Sequence, residues 1–180
     1  GARSVGRLVR LLPRGRVSGP PLRLPGEHFV AGTLFLLIGA IGVIYAAPAL
    51  AMGVYASPVV VGVTHLFTLG WLTTSLMGAL YQFLPVALGQ SIASERVAHA
   101  TFVLHVGAVS MLVVALVRGN GIVLYASLLT LTVGITCFLA NLGVTLHRAE
   151  RRDVTWWAIC CAAVFLGATM VLGAALGINL

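Results

Sequence analysis

The amino-acid sequence predicts an all-α integral membrane protein, a bundle of about five transmembrane helices with its N-terminus in the cytoplasm. Three observations lead to this prediction: the composition, the spacing of the charges and the distribution of the arginines. Of the 180 residues, 59% are hydrophobic and only 8% are charged, and the mean hydropathy is +1.05. Soluble domains carry about 25% charged residues. A soluble fold could not bury this much apolar surface, so we expect the lipid bilayer to be the solvent of the chain.

The charged residues leave long uncharged segments, which cover 29–94, 97–117, 119–147 and 154–180. A transmembrane helix needs about 20 predominantly apolar residues. The first segment has room for two helices and a turn, and each of the others has room for one. We therefore predict five spans, at 27–49, 58–84, 96–117, 122–147 and 154–177.

Residues 1–26 form a basic N-terminal tail that contains six arginines. Four of them recur at helical spacing, with apolar side chains on the opposite side. This pattern is typical of a helix that lies on an anionic membrane surface, and a disordered basic tail is an equally good interpretation. The prolines and the glycine of 20–26 are expected to end any such helix. The transmembrane bundle then comprises 27–180.

The arginines also predict the orientation of the bundle. Ten of the 11 lie in the tail or in loops on the same side, and only Arg118 lies on the other. The positive-inside rule places the arginine-rich side in the cytoplasm, which indicates a multi-pass protein of the bacterial inner membrane. Anionic lipid also accounts for the net charge of +7, so we expect no nucleic-acid partner.

Several kinds of chemistry lack their residues here. The sequence contains no Walker loop, no GxGxxG, no HExxH, no GxSxG and no CxxC motif, and its four acidic residues lie at predicted membrane edges. Hydrolases, kinases and ion-coupled transporters are therefore disfavoured. The three cysteines, Cys137, Cys160 and Cys161, fall inside predicted spans and are expected to pack as small apolar residues.

Span 2 contains one histidine, His65, about 10 Å below the predicted outer boundary of the membrane. At 100° per residue, its face also carries Leu69, Leu72, Leu76 and Ala79. The opposite face is a stripe of small residues that allows another helix to approach closely, formed by Gly70, Thr74 and Gly78. An imidazole on an apolar face suits axial ligation of haem iron. A histidine that only bonds a neighbouring carbonyl or hydroxyl fits the same pattern.

The segment THLFTLGWLTTSLMGALYQFLPV, residues 64–86, resembles the second transmembrane helix of the haem–copper oxidase catalytic-subunit superfamily. It is most similar to the short, divergent bacterial proteins described as cytochrome oxidase subunit I-like. The matching positions are His65, Gly70, Trp71, Gly78 and Pro85. The resemblance covers roughly 20–180 and is specific mainly over 58–89. It implies that His65 is a metal ligand, bound to the iron of a low-spin haem b near the outer face.

The chain departs from this family in two respects. Oxidases hold copper and a high-spin haem with several later histidines, but His99 and His105 are six residues apart, about 240° around a helix, and cannot face one ligand. We therefore expect no complete catalytic centre. In the family, the second ligand of the low-spin haem comes from a much later helix. The candidates here are Met111, Met170, a partner subunit or a second copy of the chain.

These observations predict a membrane haem b-binding electron-transfer subunit of a larger respiratory or photosynthetic complex, which resembles the low-spin haem half of oxidase subunit I. The alternative is a cofactor-free structural accessory subunit of a membrane protein complex. The expected partners are the lipid bilayer and other membrane subunits or a second copy. Near the inner membrane edge we expect interhelical hydrogen bonds from Tyr81, Gln82 and Asn141, and a contact between Glu27 and a tail arginine or the headgroups.

Overall fold

The structure is a computed structural model that describes residues 22–149 and 151–178. Within these residues the secondary structure is helical, and five helices are long and apolar enough to cross a membrane. They are α1 (Arg23–Ala51), α2 (Pro58–Leu88), α3 (Glu95–Arg118), α4 (Gly121–Arg148) and α5 (Val154–Ile178). The predicted fold class, an all-α multi-pass membrane protein, is confirmed. The predicted interfacial helix of the tail lies outside the described residues, except for 22–26.

Each predicted span lies within one observed helix, and the helices extend further than predicted. Helix α1 begins at Arg23, within the segment predicted to end a helix of the tail, and includes Pro25; whether a tail helix ends there lies outside the described residues. Proline is tolerated in the first turn, where its missing N–H group has no intrahelical acceptor. Likewise, Pro85 does not end α2, which continues to Leu88 and stops at Gly89 with a left-handed φ of 66°.

Polar side chains begin four of the helices. In each case a side-chain oxygen accepts a hydrogen bond from the backbone amide three residues later, and these residues are Ser57, Ser94, Asn120 and Asp153. Such a cap satisfies one of the amides that the first helical turn leaves unpaired. The caps fix where α2 to α5 start, and therefore the lengths of the connecting turns.

The helices pack in chain order, with the most extensive contacts between α1 and α2 and between α3 and α4. The larger core cluster lies towards the end of the bundle where α1 and α3 begin and α2 and α4 end, and includes Leu24, Tyr81, Leu84, Ala98 and Leu146. We call this end the arginine-rich end. A smaller cluster, formed by Phe35, Leu66 and Val109, lies between α1, α2 and α3.

Helices α1 and α2 approach each other closely where α2 carries glycines. A Cβ atom built on Gly70 would lie 2.7 Å from the ring of Phe35, and one built on Gly78 would lie 2.6 Å from Cβ of His28. Thr74, between the two glycines, is completely buried. The predicted stripe of small residues is therefore confirmed, and α1 is the helix that packs on it.

The middle of α2 is a π-helix over Leu66–Thr73. Threonine hydroxyls bond carbonyls five residues back, Thr73 Oγ1 to Thr68 at 2.8 Å and Thr74 Oγ1 to Leu69 at 3.2 Å. Because a π turn holds more residues than an α turn, the 100° spacing assumed for the face of His65 does not hold here. Leu69 packs on the smaller core cluster, whereas Leu72 is 48% exposed.

Candidate functional site

His65 is the last α-helical residue before the π-helical segment, and its side chain is half-buried. Its Nδ1 atom lies 2.7 Å from the carbonyl oxygen of Val61, one turn earlier. A carbonyl oxygen only accepts, so the neutral imidazole carries its proton on Nδ1 and donates it. The lone pair is therefore on Nε2. A histidine held in this way is oriented to bind a metal through Nε2.

The surface beside His65 offers no competing polar ligand. The hydroxyls of Thr64 and Thr68 donate to carbonyls of their own helix, each at 2.9 Å. Further along α2, Trp71 and Leu72 are 39% and 48% exposed. Leu72 presents an apolar side chain, and Trp71 presents an indole ring whose N–H makes no hydrogen bond found among the described residues. This side of α2 suits contact with lipid, with an apolar ligand or with another helix.

The two methionines proposed as second ligands lie on different helices. Met111 is half-buried on α3, which packs on the first part of α2, where Gly62 faces Val113. Met170 lies on α5, which packs on α4, and its sulfur accepts a weak hydrogen bond from Thr136 Oγ1 at 3.9 Å. Met111 therefore lies on a helix adjacent to that of His65, and Met170 lies in the α4–α5 contact.

His105 is fully buried on α3, and its Nε2 lies 3.0 Å from the carbonyl oxygen of Leu69. Leu69 is one turn along α2 from His65, a rise of about 5 Å. The His105 ring therefore contacts α2 about one turn from His65. His99 instead contacts Glu27, so the two α3 histidines face different partners, as predicted. Among the described residues, no group of three or more His, Cys, Asp or Glu is arranged to hold a metal ion.

Glu27 pairs with His99, at 2.5 Å between Oε1 and Nδ1. Five of the six tail arginines expected as its partners lie outside the described residues. Helix α1 begins four residues before the predicted span. Glu27 therefore lies inside the helix and faces α3. The hydrophobic pattern alone did not reveal this pairing, because a glutamate at a predicted span boundary is normally solvated.

His28 was not predicted to contact other residues, but it lies at the centre of an aromatic cluster. It is completely buried, and its Nδ1 lies 2.7 Å from the carbonyl oxygen of Leu24. Its ring meets Tyr81 edge-on at 5.4 Å between centroids and Phe102 at 4.7 Å. Gly78, one turn from Tyr81, provides the space for His28. The glycine stripe was the one sequence signal for this contact.

Asn141 makes the interhelical hydrogen bonds predicted for it. Its Oδ1 accepts from the amide of Ser94 and its Nδ2 donates to the carbonyl of Ser94, both at 3.0 Å. Gln82 is exposed, and the Tyr81 hydroxyl is buried without a hydrogen-bond partner among the described residues. Of Tyr81, Gln82 and Asn141, only Asn141 therefore makes the expected interhelical hydrogen bonds among the described residues.

Comparisons of the chain with family models, with curated proteins and with solved structures find no match. The grounds for a functional assignment are therefore the fold, the geometry at His65 and the resemblance of residues 64–86.

Proposed function

We propose that the chain is a haem b-binding electron-transfer subunit of a larger membrane complex, with His65 as an axial ligand of the haem iron. The observation that carries this proposal is the hydrogen bond from His65 Nδ1 to the carbonyl oxygen of Val61. It leaves the Nε2 lone pair free and fixes the plane of the ring. The resemblance of residues 64–86 to the oxidase helix supports the same assignment.

The surroundings of His65 fit such a group. A haem is a large, flat, apolar ligand, and the hydroxyls of Thr64 and Thr68, before and after His65 on α2, are already bonded within their own helix. The iron supplies one-electron redox chemistry, whose potential depends on the axial ligands and on burial. In this proposal the protein contributes a neutral, oriented imidazole and an apolar surface that excludes water on one side.

The second axial ligand comes from another chain or from Met111. A partner subunit or a second copy fits this role, because the His65 side chain is only half-buried and can be reached from outside the bundle. Met111 is the candidate within the chain, since α3 packs on the part of α2 that carries His65. Met170 lies in the α4–α5 contact, so it fits this role only across a subunit interface.

The test is a reduced-minus-oxidised absorbance spectrum of the detergent-purified chain with its co-purifying partners. We expect the sharp α-band of a low-spin b-type haem in the wild type, and its loss in His65→Ala. His147→Ala is the matched control, because His147 is exposed and no hydrogen bond of its side chain is found in the described residues. An intact complex without the band, or a band that survives in His65→Ala, would refute the assignment.

A second set of spectra separates the candidates for the other ligand. Met111→Leu and Met170→Leu both remove a sulfur with little change in volume. Loss of the low-spin spectrum in one variant would identify that methionine. If both variants keep the wild-type band, the ligand comes from another chain, and the band should disappear when the partner is removed.

The alternative is a cofactor-free accessory subunit, and the observation that favours it is the exposure of α5. Only Ile159 and Gly177 of this helix are buried, whereas Phe165 and Leu176 are more than 70% exposed. A helix with one neighbour provides a large apolar surface for other membrane subunits. A flat spectrum from a folded complex, together with loss of partners when bulky residues replace Ala168 or Ala175, would support this function instead.

A further inference from the structure

Four polar atoms in the interior of the bundle have no hydrogen-bond partner among the described residues. They are His28 Nε2, Tyr81 Oη, Thr101 Oγ1 and His105 Nδ1. The four residues are at most 2% exposed. A buried polar group without a partner costs about 1–3 kcal/mol. Four such groups in one small bundle therefore indicate a ligand that satisfies them.

The four side chains belong to three helices that pack on one another. The rings of His28 and Tyr81 are 5.4 Å apart, and His28 also contacts Phe102, the residue after Thr101. Thr101 and His105 are one helical turn apart on α3 and thus share a face. We call this group the interior polar cluster.

The hydrogen bonds that these residues already make define what is left to bind. His28 donates from Nδ1 to the carbonyl of Leu24, so its Nε2 is an acceptor. His105 donates from Nε2 to the carbonyl of Leu69, so its Nδ1 is an acceptor. The hydroxyls of Tyr81 and Thr101 are donors; Tyr81 lies near the Asn141 side chain without reaching hydrogen-bonding geometry. The cluster thus offers two acceptors and two donors.

Water both donates and accepts hydrogen bonds, so it can pair with the imidazole acceptors as well as with the hydroxyl donors. Ordered internal water typically makes about three hydrogen bonds to buried groups that are otherwise unsatisfied. A metal ion fits less well, because two imidazole nitrogens and two neutral hydroxyls are a poor ligand set for the divalent cations that proteins bind. An apolar ligand would leave all four polar atoms unpaired.

We propose that the interior polar cluster binds ordered water, at least one molecule, between α1, α2 and α3. The site is independent of the haem proposed at His65. His28, one member of the cluster, directly follows Glu27 in the sequence. The Glu27–His99 pair lies at the arginine-rich end, and the two side chains are 21% and 35% exposed.

Solid-state NMR of the full chain in lipid bilayers, with ¹⁵N-labelled histidine, tests the site. Polarisation is transferred from water protons to the imidazole nitrogens, and single histidine-to-glutamine variants assign the signals. We expect His28 to be protonated on Nδ1 and His105 on Nε2, and both unprotonated nitrogens to receive signal from water. Transfer that reaches the exposed His147 but neither His28 nor His105 would overturn the proposal.

Thr101→Val provides a matched variant, because it removes the hydroxyl and keeps the shape of the side chain. We expect the water transfer to His105 to weaken in this variant. Thr169→Val is its control, since the Thr169 hydroxyl is exposed and bonds the carbonyl of Phe165 in its own helix. Equal transfer to His105 in the two variants would contradict a water bound between Thr101 and His105.

Discussion

His105 on α3 donates a hydrogen bond from Nε2 to the backbone carbonyl of Leu69 on α2, at 3.0 Å. Leu69 lies in the π-helical segment, and its carbonyl also accepts from the Thr74 hydroxyl. A carbonyl that leaves the regular α-helical pattern needs other donors when it is buried. The histidine and the threonine supply them, so the π-helical segment next to His65 is held from a neighbouring helix.

Replacing His105 by leucine should therefore destabilise the protein by about 1 kcal/mol, the usual range for an interhelical hydrogen bond within a membrane bundle. The destabilisation should be local to the π-helical segment. Amide exchange should therefore accelerate, relative to the wild type, more over residues 69–74 than over the rest of α2. His147→Leu is the control, because His147 is exposed at the end of α4. The measurements are the free energy of unfolding in mixed micelles and hydrogen exchange; equal effects of the two variants would contradict the role of His105.

Gly78→Ala tests the close packing of α1 on α2. The new methyl group would lie 2.6 Å from Cβ of His28 and 3.3 Å from the carbonyl oxygen of Pro25, so the helices must separate. Overpacking of this kind costs about 1–3 kcal/mol. Gly107→Ala should be neutral or stabilising, because no atom lies within 4 Å and alanine is the better helix former. Thermal unfolding in detergent compares the two, and an unchanged midpoint for Gly78→Ala would show that α1 packs elsewhere.

The sequence was sufficient for those features that depend on composition and on regular helix geometry. The five helices follow from the uncharged segments, and the capping by Ser57, Ser94 and Asn120 was seen only in the structure. A close helix contact on α2 was predictable from Gly70 and Gly78, because small residues at helical spacing have few other uses in a membrane helix. That α1 makes this contact became clear only from the structure.

The π-helix and the polar contacts were not predictable in the same way. A π segment depends on tertiary hydrogen bonds, such as that from His105 to Leu69, which no local pattern encodes. The pairing of Glu27 with His99 depends on where α1 begins, and sequence patterns place helix ends only to within a few residues. The orientation of His65 towards Val61 likewise became clear only from the structure, although the residue itself was identified from its position and motif.

Asn141→Leu should weaken the attachment of the segment before α3 to α4. Two hydrogen bonds of 3.0 Å connect Asn141 to the backbone of Ser94, and the Thr145 hydroxyl accepts from Ala93 at the same distance. Removal of the amide leaves a backbone N–H and C=O without partners, at a cost of about 1–3 kcal/mol. We expect faster amide exchange at Ser94. Thr130→Val, which removes only a bond within α4 to Ala126, should leave Ser94 unchanged; slow exchange at Ser94 in Asn141→Leu would show that other contacts hold this segment.

The Glu27–His99 pair connects the start of α1 to α3 at the arginine-rich end, and a double-mutant cycle measures its strength. Because both side chains are partly exposed, we expect a coupling free energy of about 0.5–1 kcal/mol between Glu27→Gln and His99→Gln. Glu27→Gln and Arg118→Gln should be additive, since Arg118 lies at the opposite end of the bundle. The free energy of unfolding of the single and double variants gives both values. A coupling near zero for the first pair would mean that α1 and α3 are held together here by packing alone, because the charge on Glu27 would then contribute nothing that glutamine does not.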